Sequence, residues 1–142
     1  MKIALISCSK KKVDYTCQAK ILYSPSTLFT YSYNYAKTLC DKVFILSAKY
    51  GLLNENDIVS PYDLTLNNQS KKQKEEWSNC VFKNMENTFD LLNDEFFFFC
   101  GENYRKFLVP LLKEKYNTKI TIPLEKLPLG EQLKFLKNKI NN

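Results

Sequence analysis

Glu95-Phe96-Phe97-Phe98-Phe99-Cys100 sets four phenylalanines in a row between a carboxylate and a thiol. A run this short, apolar and aromatic, closed by Gly101, reads as a β-strand rather than a helix. Successive side chains of a strand point to opposite faces, so an unbroken apolar run needs cover on both. Such strands belong to parallel sheets held between layers of helices. Lys2-Ile3-Ala4-Leu5-Ile6-Ser7 and Lys42-Val43-Phe44-Ile45-Leu46-Ser47 have the same character, and Lys119–Ile122 is a weaker example.

Between these runs the apolar residues recur at helical spacing. Pro25 to Cys40 predicts a helix with Ser24 as its N-cap and Pro25 at its first position. Ser70 is expected to cap a helix to about Leu92, with Trp77, Val81, Met85, Phe89 and Leu92 on one face. After Gly101, a third helix carries Tyr104, Phe107, Leu108, Leu111 and Leu112, and Pro110 predicts a kink or frayed turn inside it. Gly130–Ile140 reads as a basic terminal helix. Gly51 to Gln69 shows no regular pattern, and a loop of that length is more often functional than a connector. The order β-α-β-loop-α-β-α-β-α predicts one α/β domain over residues 1–142. Its architecture is a three-layer sandwich around a mainly parallel sheet of about four strands.

Composition limits the chemistry. The chain of 142 residues carries a formal charge of +6, almost all of it from lysine, because Arg105 is the only arginine. Lysine attracts phosphate but lacks the planar fork that reads base edges. There is no histidine, which excludes Ser-His-Asp and Cys-His catalysis and histidine-bearing zinc sites. Five cysteines without a CxxC pair give no metal-binding pattern. No metal and no cofactor are expected, and reduced thiols are expected in a cytoplasmic protein. No apolar stretch approaches the length of a membrane span.

In a parallel sheet, ligands bind beyond the C-terminal ends of the strands. The segments Cys8-Ser9-Lys10, Ala48-Lys49-Tyr50-Gly51, Cys100-Gly101-Glu102 and Pro123 should therefore meet on one rim. The irregular segment after Gly51 would add Tyr62 and Asp63 to it. Candidate catalytic residues are Asp63 and Glu102 as carboxylates, with Ser9 and Cys8 beside them. Lys10, Lys11 and Lys49 are candidates for phosphate contact, and Tyr50, Tyr62 and Tyr104 for stacking on a base. Gly51 and Gly101 would supply close approach or positive φ. Each has a plainer reading: Cys8 and Cys100 as small buried hydrophobes, the lysine run as a solvated loop, and Glu102 as a first-turn helix carboxylate.

Ile6-Ser7-Cys8-Ser9-Lys10-Lys11-Lys12, Leu22-Tyr23-Ser24-Pro25-Ser26-Thr27-Leu28-Phe29, Ile45-Leu46-Ser47-Ala48-Lys49-Tyr50-Gly51-Leu52-Leu53 and Pro61-Tyr62-Asp63-Leu64-Thr65-Leu66 together resemble an uncharacterised family of small bacterial and phage proteins. The Cys100-Gly101-x-x-Tyr104 turn fits the same pattern. More distantly, Ser7 to Lys10, Leu46 to Leu52 and Pro61-Tyr62 are similar to motifs of the peroxide-stress YaaA-type proteins, which are associated with DNA; this chain lacks their C-terminal part. Cys8, Ser9 and Lys11 or Lys12 partly match the opening of an archaeosine synthase domain, without its Pro-Tyr and downstream histidine. The architecture is similar to the uracil-DNA glycosylase superfamily as an analogy of fold.

These resemblances imply a partner that is DNA, RNA or a nucleoside-like ligand. The leading expectation is an enzyme acting on a modified nucleobase or its N-glycosidic bond, in which a carboxylate replaces the missing imidazole. The alternatives are a non-catalytic DNA-binding or oxidative-stress protein and a nucleoside- or nucleotide-processing enzyme.

Overall fold

The computed structural model describes residues 1–141. The chain begins with β1 (Lys2–Ser7), a short β2 (Cys17–Gln18), one turn of helix α1 (Ala19–Leu22) and α2 (Thr27–Leu39). There follow β3 (Lys42–Ser47), β4 (Gly51–Asn54), β5 (Ile58–Val59) and a 3-10 turn at Leu66–Asn68. The second half contains α3 (Lys71–Thr88), β6 (Glu95–Phe99), α4 (Glu102–Arg105), α5 (Leu108–Tyr116), β7 (Lys119–Thr121) and α6 (Leu129–Ile140).

The main sheet has five strands in the order β4-β3-β1-β6-β7. β1 pairs in parallel with β3 and β6, β7 continues the parallel edge, and β4 runs antiparallel to β3. Alternation along the strands divides the core in two. Ala4, Ile6, Val43, Ile45, Phe97 and Phe99 pack with Phe29 and Ala36 of α2 and Leu136 of α6. Ile3, Leu5, Phe44, Leu46, Phe96 and Phe98 pack with Val81 and Met85 of α3 and Leu108 and Leu112 of α5. Both faces of the sheet are thus covered, as the apolar runs require, in a three-layer α/β sandwich. Each fully buried Leu, Ile or Phe contributes roughly 1.5–3 kcal/mol.

Several boundaries differ from the sequence expectation. The sheet has a fifth strand because Gly51, at φ 72°, turns the chain straight back from Ser47 into β4. The segment Gly51–Gln69 is therefore not irregular throughout: it holds β4, β5 and the 3-10 turn. β5 pairs with β2, and backbone bonds from Ala19 to Asp57 (2.8 Å) and Lys20 to Glu55 (3.0 Å) fasten the segment down. β4 pairs with the adjacent β3, but β5, Glu55 and Asp57 are held by the remote β2 and α1, so no local period marks them.

α2 is capped by Ser26, whose hydroxyl accepts from the Phe29 N–H at 3.2 Å, rather than by Ser24. α3 begins as expected with a Ser70–Gln73 capping box but ends at Thr88, leaving Leu92 outside it and 65% exposed. Pro110 does not kink α5. It lies in the first turn, where its lack of an N–H costs no intrahelical bond, and its ring would clash with the Lys106 carbonyl in a continuous helix. That clash accounts for the break between α4 and α5.

No helix is long and apolar enough to cross a membrane among the described residues. After β1 the chain runs to α2 on one face; after β6 it runs to α5 on the other. A crevice between the C-terminal ends of two parallel strands is the usual result of such a divergence.

Candidate functional site

Cys8 is the first residue beyond β1, and its N–H donates to the Leu46 carbonyl at 2.9 Å, extending the β1–β3 ladder by one bond. Its Sγ accepts from the Ala48 N–H at 3.4 Å and donates to the Tyr104 hydroxyl at 3.3 Å. The same hydroxyl accepts from the Leu66 N–H at 3.3 Å. The contacts around Cys8 and Tyr104 thereby join the ends of β1 and β3, the start of α4 and the 3-10 turn. Ser9 then turns the lysine run back by donating to the Lys11 carbonyl at 2.8 Å. Lys12 donates to the Lys10 carbonyl at 3.3 Å and holds its ammonium 4.4 Å above the Tyr62 ring. Partial burial draws the Lys12 pKa below the ordinary lysine value, an effect that neighbouring Cys8 and Asp63 oppose.

A hydroxyl network supports this turn from below. Tyr62 shares hydrogen bonds of 2.8 Å with both Tyr23 and Ser47. Ser47 also accepts from the Lys49 and Tyr50 N–H groups, at 3.2 and 3.0 Å, and its carbonyl accepts from the Trp77 indole at 3.0 Å. Tyr23 and Ser47 are fully buried. Burial pushes the Tyr23 phenol up to about 12, and raises Tyr62 and Tyr104 in the same direction.

Two cavities flank the turn after β1 and share Cys8 and Ser9 as their common wall. The larger, of about 420 Å³, is also bordered by Lys10, Lys12, Asp63, Thr65, Asn67 and Tyr104. Its volume falls within the range of small-molecule sites, roughly 300–1,000 Å³. The smaller, of about 200 Å³, lies where the chain leaves β1 and β6 in opposite directions; Gly101, Glu102 and Arg105 border it from the β6 side.

The rim expected from the sequence is thus partly assembled. Cys8, Ser9, Lys10, Asp63 and Tyr104 meet at the larger cavity, whereas Gly101 and Glu102 belong to the smaller one. The two carboxylates do not share a chamber. Lys11, Lys49, Tyr50, Gly51 and Tyr62 border neither. Lys49 is exposed, with its ammonium 5.3 Å from the Tyr50 ring. Tyr50 donates to the Ser60 carbonyl at 3.0 Å and meets Tyr62 edge-on.

Tyr104 is only 6% exposed and packs edge-on against Trp77. It therefore offers its hydroxyl rather than a free ring face, which corrects the expected stacking role. Gly51 does need its positive φ, but Gly101 has φ −64° and open space where a Cβ would stand. Cys100 is half-buried and borders the smaller cavity; it donates to the Leu5 carbonyl at 3.2 Å, and burial raises its pKa.

The sequence reading missed Thr65 and Asn67 as site residues and treated Lys12 only as part of a lysine run. The proximity of Lys12 to Asp63 depends on how the segment after β5 folds back, and no local pattern announces that. Ser47 was visible only as the last residue of a strand.

No curated protein and no solved structure matches the chain. A family model of unknown function does match, over residues 3–138, and the chain belongs to that family, DUF6884.

Proposed function

We propose that the protein is an enzyme that handles a nucleobase in DNA, RNA or a nucleoside and cleaves its N-glycosidic bond at the strand-end rim. The observation that carries this reading is the shared lining of the larger cavity: Asp63, Lys10, Lys12, Cys8, Ser9 and Tyr104 around about 420 Å³. The motif resemblances to base-handling and DNA-associated families point the same way. Two lysines against one carboxylate leave the chamber net positive, which suits the phosphate beside a nucleoside.

The chemistry needs no imidazole. Asp63 accepts a proton from water as the water oxygen bonds to the sugar C1′. The C1′–N bond breaks, and its electron pair leaves with the base nitrogen. Lys12, made a readier acid by partial burial, donates a proton to that leaving nitrogen. Proton return from Asp63 to Lys12 restores both groups. A carboxylate facing the sugar also stabilises the oxocarbenium-like transition state.

Incubating the protein with DNA, RNA and nucleosides containing modified bases, and searching for free base by mass spectrometry, tests this. Release is expected, and Asp63→Asn should reduce it about 100-fold or more with the fold intact. Base release unchanged in Asp63→Asn would refute the assigned role. Salt-sensitive nucleic-acid binding without release from any substrate would instead favour a non-catalytic binding protein.

A further inference from the structure

The smaller cavity has a different chemistry from its neighbour. Arg105 and Lys126 face Glu102 and Glu125 across about 200 Å³, so its charged groups balance. A phosphate gains little in such a place. A neutral ligand bearing both donors and acceptors along its edge gains more. Leu28, Phe29 and Leu124 supply apolar wall on the side of α2. An engineered cavity of about 150 Å³ holds one benzene ring. Room of this size therefore admits one heterocycle but not a base together with its sugar and phosphate.

Two further observations point to an occupant. Ser32 is 2% exposed and borders the cavity, yet its hydroxyl makes no hydrogen bond among the described residues. That hydroxyl lies at the cavity wall with no protein group engaging it, so it can donate to or accept from a ligand there. Arg105 spends one N–H on the Cys100 carbonyl at 3.3 Å and stands a loose 3.9 Å from Glu125, which leaves guanidinium donors free.

We infer that this cavity is the compartment for the base itself, a single uncharged heterocycle read along its edge by Ser32, Arg105 and a carboxylate. The substrate crosses the Cys8–Ser9 turn at its glycosidic bond, so that the leaving nitrogen meets Lys12 and the sugar and phosphate lie on the lysine side. This rests on the nucleobase reading above and adds where the base goes. It also explains why the two candidate carboxylates stand in separate chambers: Asp63 attends the glycosidic bond and Glu102 the base edge.

Titrating isotope-labelled protein with free adenine, hypoxanthine, cytosine and uracil, followed by NMR, tests the compartment without any catalytic step. At least one base should give saturable shifts at Ser32, Leu124 and Arg105. Ser32→Val should abolish them, and Glu102→Gln should weaken binding by about tenfold, the worth of one hydrogen bond. Asp63→Asn should leave them in place. If no base gives saturable shifts at millimolar concentration, or they map to Asn67 and Asn68, or both variants bind like the unmodified protein, the inference is overturned. Binding here without turnover of any substrate would instead refute the hydrolytic reading and support the compartment. Undiminished base release by Ser32→Val and Glu102→Gln would do the reverse.

Discussion

Replacing Tyr62 by phenylalanine removes one oxygen and should destabilise the fold far more than a surface change. That hydroxyl makes two hydrogen bonds of 2.8 Å, to Tyr23 and Ser47. Each is worth about 1 kcal/mol net, and a buried hydroxyl left without a partner costs a further ~1–3 kcal/mol. Ser47 keeps two backbone donors after the change, but the Tyr23 hydroxyl, at 0% exposure, makes no other direct hydrogen bond and has only the Ser47 hydroxyl near it. The expected loss is therefore about 3 kcal/mol. Tyr23→Phe removes only one bond and leaves Tyr62 paired with Ser47, so about 1 kcal/mol is expected.

The double variant separates this account from simple loss of contacts. With both hydroxyls gone no orphan remains, and the combined loss should be about 2 kcal/mol rather than the ~4 kcal/mol of the sum. Urea unfolding of the four proteins measures it, with a shift in midpoint at unchanged slope as the sign of a stability effect alone. Strict additivity, or a Tyr62→Phe loss below about 0.5 kcal/mol, would refute the argument that this network is closed and buried.

Three further outcomes are expected. Because burial raises the Tyr23 pKa from 10.0 to about 12, the folded state holds that proton more tightly than the unfolded chain. The difference contributes about 3 kcal/mol, present in full below pH 10 and lost as the pH rises to 12. The Tyr23 share of the tyrosinate absorbance should thus appear together with unfolding in that window; titration of every tyrosine near pH 10 in a folded protein would contradict it. Gly51→Ala should lower stability by about 1–2 kcal/mol through its positive φ alone, since the added Cβ meets Val81 and Asn84 only at ordinary contact distance. Gly101→Ala, at negative φ with open space around it, should be neutral or slightly stabilising in a thermal melt, and a large loss there would be inconsistent with the turn described.

Much of the architecture was legible because β1, β3 and β6 are apolar at consecutive positions, which only a doubly covered strand satisfies. Ser70 likewise announced the start of α3 as a local N-cap, and the structure adds Gln73 to complete a capping box. The cap of α2 was misplaced at Ser24 because Pro25 suits a first helical position, whereas the helix starts two residues later with Ser26 as its cap. β4 was hidden because Leu52 and Leu53 alone carry no period and its register depends on β3. At the rim, the strand-end rule brought Cys8, Ser9, Lys10 and Asp63 together correctly, yet it placed Glu102 in the same chamber.

By itself, the sequence determined the covered sheet, the rim at its strand ends, the excess of lysine and the lack of imidazole. These depend on residue type and local spacing. Only the tertiary structure decided that the rim is two cavities rather than one, that Tyr23, Tyr62 and Ser47 close a buried network, and that Ser32 faces a cavity without a partner. The two cavities and the place of Ser32 depend on how far apart the loops after β1 and β6 diverge, and the buried network depends on where the segment after β5 folds back. Contacts between residues tens of positions apart fix both, and no local pattern encodes them.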